Sequence, residues 1–211
     1  MFSYSRSVMM RFSSVFALAA FAGALFPGTA AAATKGRVYS AVGQFSVARN
    51  PNGPWSYLSN RSLLAYVNKG CPASGLICRW NGKPVCNSVF VAAGLRGKPA
   101  SFLTIRLPGD HLDLDPESAA NVRTRFTAPM AGTFVIAGDF LGADTSENSH
   151  PVSILMNGKP AYANTISRFG QRDAFNLTRK LNRGDTVDFV VSTGSACTYL
   201  GTGLKAIVTA H

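Results

Sequence analysis

Val122-Arg123-Thr124-Arg125-Phe126-Thr127-Ala128-Pro129-Met130-Ala131-Gly132-Thr133-Phe134-Val135-Ile136-Ala137-Gly138-Asp139-Phe140 is the stretch on which the fold turns. In its first six residues apolar and polar side chains take turns. After a break at Pro129, the even positions carry Phe134, Ile136 and Phe140. Neighbouring side chains of a strand point to opposite faces, so this alternation describes strands with one face on a core and one toward water. Val187-Asp188-Phe189-Val190-Val191 repeats the pattern with one apolar face. Outward from here, short β-rich runs alternate with Gly, Pro, Asn and Asp turns and almost nothing reads as helix, which is an all-β signature. Strands are expected at 38–47, 90–93, 101–107, 111–114, 120–127, 132–141, 152–156, 159–163, 173–177, 186–192 and 204–209. Met156-Asn157-Gly158-Lys159 sets Asn-Gly between two such runs, the strongest short hairpin signal. Asn182-Arg183-Gly184-Asp185 reads as a turn before a strand.

Two regions are less regular. Asn50-Pro51-Asn52-Gly53-Pro54 is a dense turn cluster before Trp55-Ser56-Tyr57, and 68–87 is an insert rich in Cys, Gly and Pro that holds Trp80. With no internal repeat and no long linker, a single β-sandwich is expected over 34–211.

Residues 1–33 read as an export signal. Arg6 and Arg11 give a positive start, an apolar run leads to Leu25-Phe26, and Pro27-Gly28 precedes the small residues of 29–33, with cleavage expected after Ala33. As a membrane anchor the run is short and is broken by Pro27. No later segment is apolar enough to span a bilayer as a helix, so a secreted or periplasmic chain is expected. The 178 residues that remain suit one domain with a sizeable core. The net charge is +11, and loss of Arg6 and Arg11 still leaves +9. Such a field favours acidic partners, such as an anionic polysaccharide or cell-surface polymer, and also suits plain solubility. Nucleic acid is disfavoured, because the chain has no interleaved aromatic and basic motif of the RRM kind.

Four cysteines, Cys71, Cys78, Cys86 and Cys197, all follow the signal. An even count in an exported chain points to two disulfides. Three pairings are open. Cys71, Cys78 and Cys86 fall within 16 residues, so one bridge is expected to be local and Cys197 to reach back to the insert. The spacing lacks the tight C-x-x-C of zinc sites.

Several segments taken in order resemble a broad group of exported bacterial β-sandwich domains, many of them in proteins with a C-terminal exosortase-type sorting tail. Phe45-Ser46 with 50–57 resembles the opening of that group. The stretch 122–134 is similar to its V-x-R-F-x-A-P-x-A-G signature, 140–144 to F-x-G-x-D, 152–158 to the V-x-V-x-x-N-G hairpin, 181–189 to L-x-x-G-D-x-V-D-F, and 201–207 to the closing S-T-G-L segment. The resemblance spans most of 45–208 outside the insert. It implies a two-sheet jelly-roll sandwich like galactose-binding-like domains and carbohydrate-binding modules. Leu200 stands where the group has an acid, so a ligand or calcium role of that acid does not transfer. The sorting tail is absent, and anchoring by that route is not expected.

Candidate sites follow from residue chemistry. Trp80 beside Arg79 in the insert, and Trp55 and Tyr57 in the opening motif, are the aromatic candidates for stacking on a sugar ring. The competing use is packing, against the disulfides for Trp80 and in the core for Trp55. Arg168 and Arg172, with Arg179, Lys180 and Arg183, concentrate charge in 167–184 and would form an anion site if their loops meet at one end of the sandwich. Asp139, Asp144 and Glu147, near His150, are a minor calcium reading, set against a solvated loop and short of the six to eight oxygens that calcium takes. Asp113 and Asp115 are a paired-carboxylate reading for glycoside hydrolysis, set against a solvated edge. Neither G-x-S-x-G nor H-E-x-x-H occurs. The sequence thus reads as an exported, non-catalytic binding module for carbohydrate or another anionic surface polymer, with no cofactor called for. A structural matrix protein and a glycoside-type hydrolase are the alternatives.

Overall fold

The computed structural model describes residues 36–46, 49–64, 76–79, 89–93, 100–102, 104–116, 121–194 and 198–211. In chain order the strands are β1 (Arg37–Ser40), β2 (Trp55–Ser59), β3 (Ser62–Leu63), β4 (Leu76–Arg79), β5 (Val89–Ala93), β6 (Ala100–Phe102), β7 (Ile105–Leu107), β8 (Leu112–Asp115), β9 (Val122–Thr127), β10 (Gly132–Gly142), β11 (His150–Met156), β12 (Lys159–Ile166), β13 (Arg172–Leu181), β14 (Thr186–Val191) and β15 (Thr202–Ala210). One sheet runs β13-β10-β15-β8-β5-β4, and β1 takes the far end of the β15 edge that β8 occupies nearer its start. The second sheet runs β12-β11-β14-β9-β2-β3, and β6 pairs with β7 as a separate hairpin. Every pairing is antiparallel. From β9 onward the chain passes repeatedly between the two sheets, giving the jelly-roll sandwich. Among the described residues no helix is long and apolar enough to cross a membrane.

The alternation read from 122–140 is what fills the core. Val122, Phe126, Phe134, Ile136 and Phe140 are fully closed to solvent. Phe126, Phe134 and Phe140 join Trp55, Phe189 and Phe175 in a chain of tilted and edge-on aromatic pairs with centroids 5.3–6.4 Å apart. Each such side chain contributes roughly 1.5–3 kcal/mol of hydrophobic stabilisation. At one open flank of the sandwich, Tyr162 of β12 donates its hydroxyl proton to Asp173 Oδ1 of β13 at 2.6 Å and Asn164 adds a second bond, so a polar clasp links the two sheet edges.

The Asn157-Gly158 turn forms as expected, with φ of 49° and 78°, the left-handed pair that a two-residue hairpin needs. Elsewhere the boundaries move. The strand expected at 38–47 ends at Ser40, where Gln44 N donates to Ser40 O and closes a turn. The single strand expected at 101–107 is a tight hairpin, β6 and β7. The strand expected to end at Leu177 continues to Leu181. β2, unforeseen as a strand, is held by Asn50: its side-chain amide donates to the carbonyls of Tyr57 and Leu64, and its Oδ1 accepts from Tyr57 N. The turn cluster 50–54 is therefore the hinge that docks β2.

Candidate functional site

β9 carries Arg123 and Arg125 to the outer face of the second sheet because Val122, Thr124 and Phe126 take the inner one. Register sets two rows across this face. Leu58, Arg123, Val190 and Ser153 form one, and Ser56, Arg125, Asp188 and Leu155 the next. Asp188 is thereby placed beside Arg125. The Arg125 Nε donates to Oδ1 at 2.6 Å and its Nη2 to Oδ2 at 2.8 Å, a two-pronged charged pair. Arg123 Nη1 reaches Oδ2 at 3.4 Å. Though outward-facing, Asp188 is fully closed to solvent. Its hydrogen bonds push the Arg125 pKa up, against the smaller opposing effect of partial burial.

Arg61, from the turn between β2 and β3, completes a groove of about 410 Å³, with Leu155, Thr186 and the Asn157-Gly158 turn as its other walls. Three guanidinium groups face one carboxylate, so two positive charges are uncompensated. Arg125 is held by its fork. Arg123 Nε is buried and has no hydrogen-bond partner among the described residues, so that atom is closed to a ligand. Arg61 is exposed. An exposed planar guanidinium set beside a fixed one suits bidentate binding of carboxylate, sulfate or phosphate.

The candidates drawn from the sequence lie elsewhere. Trp55 and Tyr57 are fully buried, Trp55 against Phe126 and Phe189 with its Nε1 donating to Gln44 Oε1, and neither ring shows a face to a ligand. The stacking reading of both gives way to core packing, since β2 points them inward. Arg79 is described only as the end of β4, and Trp80, Cys71, Cys86 and Cys197 lie outside the described residues; Cys78 is placed only by its backbone, opposite Phe90.

Arg168 and Arg172 do not meet Arg179, Lys180 and Arg183. Because β13 runs on to Leu181, the two groups sit at opposite ends of one strand, about 25 Å apart at 3.3 Å per residue. Arg172 is instead part of a charge-balanced cluster on the first sheet. Its Nη1 donates to Asp139 Oδ1 at 2.8 Å, His111 lies between Asp110 and Asp139 at 2.7 and 2.9 Å, and Lys205 reaches Asp110 at 2.7 Å. The Lys205 hydrogen bond, with His111, holds Asp110 down to about 2. Burial pushes Asp139 up, but His111, Arg172 and Lys205 outweigh it and the net shift is down.

Asp139 therefore does not join Asp144 and Glu147. Asp144 accepts from Thr104 Oγ1 and Ser146 N, while Glu147 accepts from Asp144 N and faces His150 Nδ1 at 3.5 Å. Among the described residues no group of three His, Cys, Asp or Glu side chains is arranged to hold a metal ion. Burial pushes the Glu147 carboxyl up to about 8, with the charges of Asp144 and Asp113 adding to it, and burial lowers His150. Asp113 and Asp115 are not an exposed edge: they are 5% and 4% exposed on β8.

Arg61 and Arg123 with Arg125 are the residues that sequence reasoning missed. The signal was present, since Arg123 and Arg125 are the polar members of the alternating stretch and so share one outer face.

No protein-family model matches the chain, and no curated protein matches it. Among solved structures it is similar to a family 35 carbohydrate-binding module from Clostridium thermocellum, at 12% identity and TM-score 0.35, covering 73% of this chain and 97% of that one. It is similar also to CBM35 from Paenibacillus barcinonensis, at 11% identity and TM-score 0.34 over 74% and 99%. A pika GITRL matches at 14% identity and TM-score 0.29 over 42% and 76%. The sandwich itself rests on the strand pairing given above.

Proposed function

We propose that this chain is an exported, non-catalytic module that binds an anionic polysaccharide through the groove of Arg61, Arg123 and Arg125. The observation that carries the reading is the uncompensated pair of guanidinium charges over a rigid sheet, with Asp188 fixing Arg125 in place. A groove walled by a strand face and a fixed hairpin needs little ordering on binding, and two planar donors select acidic groups over neutral sugar hydroxyls. The enclosed state of Asp113 and Asp115 weighs against the hydrolase alternative.

The test is calorimetric titration of the mature protein with polygalacturonate and with neutral dextran at about 0.15 M salt, where exposed charges are screened beyond roughly 8 Å. The wild type binds polygalacturonate and not dextran. Arg61→Gln with Arg123→Gln weakens binding about tenfold or more, the loss expected for one to two charge-assisted hydrogen bonds. Unchanged affinity in that variant overturns the site. A single-stranded oligonucleotide that outcompetes polygalacturonate at the same salt overturns the polymer class. Export predicts a mature chain that starts at Thr34 when produced in an export-competent bacterium. Recovery of an intact Met1 from the envelope contradicts that part.

A further inference from the structure

A second basic hollow, of about 450 Å³, lies on the other side of the Asn157-Gly158 turn from the arginine groove. Lys159, Arg179 and Lys180 supply its charge, and Met156, Pro160 and Leu181 give it an aliphatic floor. It opens where the edge strand of one sheet, β12, faces the edge strand of the other, β13. Asp185 is its acid, and that carboxylate is already engaged: Oδ2 accepts from Asn182 N at 2.7 Å and Oδ1 from Asn157 Nδ2 at 3.1 Å. The two hollows share Asn157. This residue is a fixed ridge between them, because its N donates to Thr186 O at 2.9 Å and its Oδ1 accepts from Thr186 N at 2.8 Å.

We propose that the two hollows are successive subsites for acidic groups on one polymer chain, which crosses the sandwich end over the Asn157-Gly158 turn. The inference rests on the anion-binding reading of the arginine groove and adds a minimum ligand length to it. From β9, which bears Arg125, to β12, which bears Lys159, there are three strand steps, about 14 Å at 4.8 Å each. A single acid group cannot sit on both sets of cations, whereas an oligomer with an acid on every residue presents a charge to each. The subsites differ in kind. The first offers three flat guanidinium groups on a polar sheet, and the second offers two lysine point charges and one guanidinium over an aliphatic floor on which the C–H face of a sugar ring can rest. Linking two weak contacts on one chain makes the second contact intramolecular, so affinity climbs with length until both are filled.

The experiment titrates the mature protein with galacturonate dimer and octamer at about 0.15 M salt, in wild type and in Lys159→Gln with Lys180→Gln. Both lysines are exposed and unpaired among the described residues, so the variant is expected to fold, and a thermal melt checks this. The octamer is expected to bind wild type at least about tenfold more tightly than the dimer. In the variant that advantage shrinks about tenfold, while dimer affinity is unchanged. Wild-type affinity for the octamer in the variant overturns the second subsite. Equal weakening toward dimer and octamer also overturns it, because it reports only a reduced overall field. If wild type binds neither oligomer, the arginine-groove reading fails first and this inference with it; a dimer that binds as well as the octamer removes only the second subsite.

Discussion

The outer faces of the seven-stranded first sheet and the six-stranded second sheet carry their charges differently. Across the first sheet the register lines up Val38, Thr209, Val135 and Thr178, then Ser40, Ile207, Ala137 and Asn176, without a charge among them. Its balanced charges gather at one end, where Asp110 and Asp139 face Lys205 and Arg172 around His111, and Lys180, opposite Thr133, stands at the other end. Across the second sheet, Arg123 and Arg125 stand in the middle rows with only Asp188 between them, and Arg61 adds a third cation. The difference teaches that a net charge of +11 is not a uniform coat. One face pairs most of its ions, and the other holds three cations against one carboxylate in a concave wall.

The largest effect that sharpens this comparison comes from the paired arginines themselves. Arg125→Ala leaves Asp188 enclosed with only the 3.4 Å contact from Arg123, and urea unfolding is expected to show a loss of about 3 kcal/mol. Arg172→Ala, on the balanced face, removes an exposed pair and costs at most about 1 kcal/mol. Similar losses in the two variants would break the distinction between the faces.

Next in size is a pH effect in the loop between β10 and β11. Glu147 has its folded pKa raised to about 8, above its unfolded value, so between pH 4.5 and 8 the folded state holds more protons than the unfolded one. Stability therefore falls as pH rises through that window. His150 acts with the opposite slope, because its lowered pKa makes the fold resist protonation below about pH 6.5. Glu147→Gln isolates the carboxyl. Its melting temperature should match wild type near pH 4 and exceed it by about 5 °C at pH 8.5. A constant difference at both pH values would contradict the assignment.

The smallest effect lies in the core. The Tyr57 hydroxyl is buried without a hydrogen-bond partner among the described residues, and burial pushes its pKa up. Tyr57→Phe removes a desolvated group and should stabilise the protein by about 1 kcal/mol in urea unfolding. A clear destabilisation would reveal a bond that the structure does not contain.

The strands most legible in the sequence were those whose two faces differ. β9 and β10 announce themselves because water and core pull on alternate residues. β2 did not, because all five of its residues are buried and Ser56 and Leu58, though outward, lie beside Arg125 and Arg123. The hairpin at Asn157-Gly158 was legible because only a few residue types accept positive φ there. The basic site was half legible. Charge pointed to an anionic ligand, but sequence proximity grouped Arg168 and Arg172 with Arg179 and Lys180, and a ten-residue strand holds them apart. Arg61 and Arg125 meet through strand pairing between segments far apart in the chain, which spacing along the sequence does not show.

The measurement that tests the account most directly is polygalacturonate titration at about 0.15 M salt of three proteins side by side: wild type, Arg61→Gln with Arg123→Gln, and Arg168→Gln with Arg172→Gln. Each double variant removes two positive charges. The account predicts that the first loses about tenfold or more in affinity and that the second stays within about twofold of wild type. Equal losses in the two variants would mean that the polymer responds to net charge alone, and the arginine groove would not be the site.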